Sequence, residues 1–186
     1  KTEELGIKNI EYMQADILDL GELNNQFDIV ESAGVIHHME NPIKGWRVLV
    51  DCIKPGGLMM LGIYSELARQ HIVNMREDIS NLGIGPSDTE MKLFRSNLID
   101  LDSEDLKVIK FSPDFFNLSE WRDLLFHVQE HRFTLLQISK YLEELGLYFC
   151  GFEPDKSIEY KFKLNNTHVN DLYNLEKWNL FELSNK

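Results

Sequence analysis

The sequence is short of most features that would announce a specialised class. It has two cysteines in 186 residues, Cys52 and Cys150, both in apolar stretches and without the C-x-x-C spacing of a metal or redox pair. That excludes a disulfide framework and points to buried free thiols in a reducing, cytoplasmic setting. Basic residues are scarce: 19 Lys and Arg stand against 31 Asp and Glu, for a formal net charge of −12. Surfaces that neutralise phosphates are built from Lys and Arg, so nucleic acid is not a favoured partner. No apolar run approaches the roughly 20 residues that span a bilayer, and the first residues carry no signal-peptide pattern. No membrane partner is expected. Repeats, low-complexity tracts and extended linkers are absent too.

What is present suits one domain with a real core and room for a small subdomain. Hydrophobic residues make up 43% of the chain and charged ones 27%. Residues 1–9 read as the last turn of a helix closed by Gly6. "IEYMQADIL" (10–18) and "FDIVESAGVI" (27–36) read as strands. "NPIKGWRVLVDCI" reads as a helix with Asn41 as cap, Pro42 in the first turn, and Ile43, Trp46, Val50 and Ile53 on one face. "KPGG" (54–57) then turns the chain into "LMMLGIY", an apolar run of the kind found in parallel strands buried on both faces. From residue 65 to 131 the pattern is helical, with stripes Ala68, Ile72, Met75, Ile79 and Met91, Phe94, Leu98, Leu101. Ser87-x-x-Glu90 opens the second of these, and a short helix carries Trp121, Leu124 and Leu125. A second capping box, Thr134-x-x-Gln137, opens "LLQISKYLEEL", which stops at Gly146. "LYFCGFE" reads as a strand, and "SIEYKFKL" alternates as a half-exposed antiparallel strand should. A last helix carries Leu172, Leu175 and Trp178.

The order of "IEYMQADILDL", "FDIVESAGVIHHM" and "NPIKGWRVLVDCIKPGGLMMLGIYS" resembles the middle of a class I S-adenosylmethionine-dependent methyltransferase. "HRFTLLQISKYLEELGLYFCGFE" resembles the end of that fold, in a bacterial group whose acceptors are mostly unassigned. The resemblance implies an α/β, Rossmann-like doubly wound sheet over 1–64 and 132–186, interrupted by a helical insertion at 65–131 that acts as a lid for the acceptor. It implies methyl transfer from S-adenosylmethionine, by in-line displacement, to a small-molecule or protein acceptor. Ligands in such sheets lie across the carboxyl ends of the strands. Asp16 would accept from the adenine amine and the Ile17 N–H would meet a ring nitrogen; a turn or cap role suits Asp16 equally. Glu31, Ser32, Ala33, Gly34 and Val35 would line the methionine half of the cofactor, with Gly34 allowing close approach of the backbone.

The family's first two strands, its Gly-x-Gly loop and the acid that binds the ribose have no counterpart here. "GIGPSD" (83–88) follows a helix and is no substitute. The chain therefore reads as N-terminally truncated, with weak or absent cofactor affinity. In the family's strand order, 3-2-1-4-5-7-6, strand 10–18 would lie about 14 Å from strand 27–33, an open gap. It is therefore expected to pair directly with strand 27–33, or with a second copy in a homodimer through exposed sheet edges.

His37 and His38 are adjacent, so they point in different directions and seldom close on one metal. They stand as pocket-lining residues, or as a base or hydrogen-bond partner facing the acceptor. Tyr64, Arg122, His127 and His131 are further acceptor-facing candidates. "HVQEH" (127–131) matches H-x-x-E-H, in which two helical histidines hold zinc and the glutamate activates water. A zinc hydrolase built on His127, Glu130 and His131 is thus one alternative, and a non-catalytic interaction module on the same fold another. No metal ligand set is assigned.

Overall fold

The computed structural model describes residues 2, 4–99, 101, 104–127 and 129–185, the side chains of residues 104 and 105 excepted. Two apolar runs flanking an amphipathic helix build its first ordered piece. Strands β1 (Phe27–Ala33) and β2 (Ile53–Gly62) are parallel neighbours, joined by helix α1 (Pro42–Asp51). A parallel pair needs such a crossover, because a tight turn cannot bring the chain back to the same end. The helix begins where its signals stand. Asn41 accepts the Lys44 N–H at 3.1 Å, and Pro42 occupies the first turn, where its missing N–H costs nothing. This β-α-β unit gives the chain its α/β, Rossmann-like character.

Three local expectations are corrected in this region. The Lys54–Gly57 stretch is not a turn ahead of β2 but lies within it, where the ladder register shifts between Phe27 and Ile29. A Cβ on Gly57 would stand 2.8 Å from the Asp28 carbonyl oxygen and 2.5 Å from Ile53 Cγ2, so the bulge requires glycine. Second, within this unit the described residues put a helix on one face of the strands only. The Trp46 indole N–H of α1 lies 3.2 Å from Met59 Sδ on that face. Ile29 and Leu58, register partners on the other, are 67% and 56% exposed. A continuous apolar run implies two buried faces only where a helix lies on each.

Third, residues 10–16 join no ladder, and Ile10, Tyr12 and Met13 are exposed. The direct pairing with β1 is overturned. Asp16 instead caps a 3₁₀ helix over Ile17–Leu23, accepting the Leu18 N–H at 2.9 Å, and this helix packs on α1. A local side-chain acceptor thus diverts the backbone from a sheet partner. Of the opening helical turn, Lys1 and Glu3 lie outside the described residues.

The chain divides into two compact units, one of residues 1–36 and 41–62, the other of 37–40 and 63–186. In the second, helices α2 (Gln70–Asn81), α3 (Asp88–Ile99), α4 (Glu104–Phe111) and α5 (Leu118–Phe126) close around Ile72, Met91, Ile109 and Trp121. Ser87 and Glu90 form the expected cap of α3, the Glu90 carboxylate also taking the Gly85 N–H at 3.1 Å. Ala68 lies ahead of α2 and is exposed, as is Leu101 beyond α3. Strands β3 (Tyr64–Ser65) and β4 (Arg132–Phe133) form a parallel two-residue ladder. Helix α6 (Leu135–Leu145) opens on the reciprocal Thr134–Gln137 cap and ends at Gly146.

The last expected strand pair does not form. Residues 147–153 are irregular, and "SIEYKFKL" lies in helix α7 (Lys156–Asn165). Of its four alternating apolar residues only Phe162 is buried, stacked on Trp178 of helix α8 (Leu175–Ser184) at 3.7 Å between ring centroids. One anchoring ring is compatible with either period. Local helical support decides it: Glu159 pairs with Lys163, and the Asp155 carbonyl takes the Ile158 and Glu159 N–H groups. Cys52 is buried and Cys150 exposed, so the expectation of two buried thiols holds for one. No described helix is long and apolar enough to cross a membrane.

Candidate functional site

The first unit offers the carboxyl end of β1. Alternation along the strand buries Ser32 and leaves Glu31 and Ala33 exposed, and the Ser32 hydroxyl has no described hydrogen-bond partner. Gly34 follows at φ +73°, a conformation open to glycine at little cost, with nothing within 4 Å of where a Cβ would stand. Its N–H still reaches the Gly62 carbonyl at 3.1 Å, so the strand exit is pinned while Val35 stays exposed. Asp16 is exposed beside Ile17, with Oδ1 engaged by the Leu18 N–H. The end of β1 thus offers an unpartnered hydroxyl and a bare backbone turn, and Asp16 separately keeps a second carboxylate oxygen.

The second unit gathers the histidines. His37 is 1% exposed, and neither ring nitrogen has a described hydrogen-bond partner. Burial, helped by the neighbouring His38, pushes its pKa down to about 4, so the ring is neutral at pH 7. Its ring lies 4.3 Å from that of Tyr64 and 4.2 Å from that of His38. His38 Nδ1 is 2.9 Å from the Gln129 carbonyl oxygen. A carbonyl only accepts, so Nδ1 carries a proton, and in the neutral ring the lone pair is on Nε2. The His127 ring lies 4.0 Å from that of His38, tilted by 34°. Asp123, four residues before His127 at the end of α5, places Oδ1 3.9 Å from Nε2 of both.

Behind this cluster lies a buried carboxylate. The Glu130 side chain is 1% exposed and faces Arg69 at 3.1 Å, Arg76 at 3.0 Å and Arg132 at 3.7 Å. Burial raises its pKa, but the Arg69 hydrogen bond and the three guanidinium charges outweigh this and hold the carboxyl below its usual range. Arg76 also donates to the carbonyl oxygens of Asp123 at 3.2 Å and Leu124 at 2.7 Å, closing the last turn of α5. The Arg69 guanidinium stands 3.6 Å over the Tyr64 ring.

The structure thus joins Tyr64, His37, His38 and His127. His131 enters through its backbone, its N–H donating to the His37 carbonyl at 2.8 Å. Arg122 goes elsewhere, paired with Asp88 at 2.6 Å on the surface. The zinc-hydrolase motif is corrected. His127 caps the end of α5 and residues 129–131 are irregular, so among the described residues no helix presents His127 and His131 together. Glu130 is held by arginines and cannot serve as a base for water. The residue missed from sequence is Asp123, whose signal was its i, i+4 spacing to His127 at a helix end. The arginines gave a weaker one: Arg69 and Arg76, seven apart, share one face of α2 and its leading turn.

Two comparisons bear on this geometry. Residues 1–61 match the methyltransferase domain family. Across nearly its whole length the chain is similar to an uncharacterised protein of Synechococcus sp., at 26% identity over 188 residues, which covers 94% of this chain and 44% of that protein. The chain therefore spans less than half the length of that relative. The family match covers β1, α1 and nearly all of β2, the parallel unit whose strand end is exposed. Over residues 1–61 the chain is thus similar to a methyltransferase domain.

Proposed function

We propose that the chain is part of an enzyme that transfers a methyl group from S-adenosylmethionine to a small-molecule or protein acceptor. The observation that carries this reading is the family match over residues 1–61, which spans the open carboxyl end of β1. When bound, S-adenosylmethionine supplies a methyl group already activated on a positively charged sulfur. The chain's own work is then binding and orientation. Asp16 accepts from the adenine amine with its second carboxylate oxygen, beside the Ile17 N–H. Glu31, Ser32, Ala33, Gly34 and Val35 line the cofactor, the Ser32 hydroxyl gaining a partner it otherwise lacks. The second unit supplies acceptor-facing groups from Tyr64, His38, His127 and His131. His37 packs behind them as a neutral ring.

Calorimetric titration with S-adenosylmethionine tests this, on the 186-residue chain and on the full-length native protein. The expected result is weak or undetectable binding by the chain and clear binding by the full-length protein. Asp16→Ala in the full-length protein should weaken binding about tenfold, the value of one charged hydrogen bond. A full-length protein that ignores the cofactor would overturn the reading.

A further inference from the structure

We propose that His38, Asp123 and His127 form a binding site for a divalent cation of the zinc class. This site lies within the second unit and does not rest on the methyl-transfer reading. The three residues bring their ligating atoms within 4.8 Å of one another. Two imidazoles and one carboxylate are a donor set used by zinc and by non-haem iron, and three protein ligands leave positions open for water or substrate. Metal–ligand bonds of about 2.0–2.1 Å put neighbouring ligand atoms about 3.4 Å apart in a tetrahedron. The Asp123 oxygen stands 3.9 Å from each Nε2. The Asp123 oxygen has to close by about half an ångström on each Nε2, and the two imidazole nitrogens, within 4.8 Å of one another, have to close as well, all by side-chain torsions.

Two of the ligands are already prepared. His38 donates Nδ1–H to the Gln129 carbonyl and so turns the lone pair of Nε2 to the site, the outer-shell arrangement that fixes a metal-binding histidine. Arg76 secures the Asp123 and Leu124 carbonyls, which sets the helix end carrying Asp123 and His127. The site is also reachable, since the Asp123 side chain is 51% exposed and that of His127 33%.

One contact opposes the metal. His127 Nδ1 accepts the Gln129 N–H at 3.1 Å, which places the ring proton on Nε2. Ligation through Nε2 moves that proton to Nδ1 and breaks the contact. The exchange trades one neutral hydrogen bond for a metal–nitrogen bond, so the metal wins. It also makes the Gln129 amide a reporter.

The test is zinc titration of the chelator-treated 186-residue chain, followed by calorimetry and by the amide spectrum. We expect uptake of about one equivalent, displacement of the Gln129 amide resonance, and at least about tenfold weaker binding in Asp123→Asn and in His127→Ala. Cys150→Ser, which removes the exposed thiol, should bind zinc as the wild type does. Absence of stoichiometric uptake would mean that the cluster is a set of surface polar contacts only, and would sink the proposal. Uptake that survives both ligand substitutions would do the same. Zinc binding to the wild-type chain that leaves the Gln129 amide unmoved also counts against it, whether or not the variants fold.

Discussion

A carboxylate taken out of water is tolerable only with compensation, and Glu130 has three guanidinium groups around it. Glu130→Gln keeps the shape and removes the charge, leaving those cations without their common partner. The expected cost is about 3 kcal/mol, measured by urea denaturation at pH 7. The pH profile carries the same information. The folded carboxyl titrates below its open-chain value of about 4.3. Its contribution is therefore complete above that value and is lost as pH falls through the lower folded one. Wild-type stability should drop below about pH 4, and the Gln variant should lack that component. At this scale the sequence was partly legible. The histidines were visible as candidates, but which of them meet was not, because the partners are long-range. His38 meets Asp123 and Gln129 across some 90 positions of chain, and no local period encodes that.

Elements whose ends carry their own chemistry were readable in advance. Asn41, Ser87 and Thr134 start α1, α3 and α6, each accepting the backbone N–H three residues on. The misread element is α7. Ile158, Tyr160, Phe162 and Leu164 alternate as a strand does, and alternation over eight residues overlaps with what a short helix tolerates. Substitution separates the two. In a strand, Tyr160 and Phe162 would share one buried face and truncation of either would cost a similar amount. In α7 they do not: Phe162→Ala should cost about 3–5 kcal/mol, and Tyr160→Ala, at an exposed position, under about 0.5 kcal/mol. Thermal melts of the two variants give the answer. Similar losses would restore the strand. Residues 10–16 and 147–153 failed as strands for another reason. A strand is stabilised by its neighbour, and sequence pattern says nothing about whether a neighbour is there.

For the whole molecule the notable feature is how its exposed apolar side chains are arranged. The helices of the second unit bury a core around Trp121 but leave Leu93, Ile99, Val108 and Phe111 exposed, whereas β1 and β2 leave Ile29, Leu58 and Met60 side by side on one sheet face in solvent. Contiguous exposed apolar surface on a sheet favours association. The isolated chain is therefore expected to bind a hydrophobic dye and to sediment faster than a monomer at micromolar concentration. Paired Ile29→Thr and Leu58→Thr substitutions should reduce both effects. Monomeric behaviour with no dye binding would refute the expectation.

Residues 37–40 belong to the second unit although the chain on either side of them belongs to the first. The polypeptide therefore passes between the units three times, and no single cut separates them. Cleavage after Gly62 would send His38 away with the first unit while Asp123 and His127 stayed with the second. Neither product would then hold all three side chains. The cluster is thus a property of the unbroken chain, and it reports on continuity in a way that neither unit does alone.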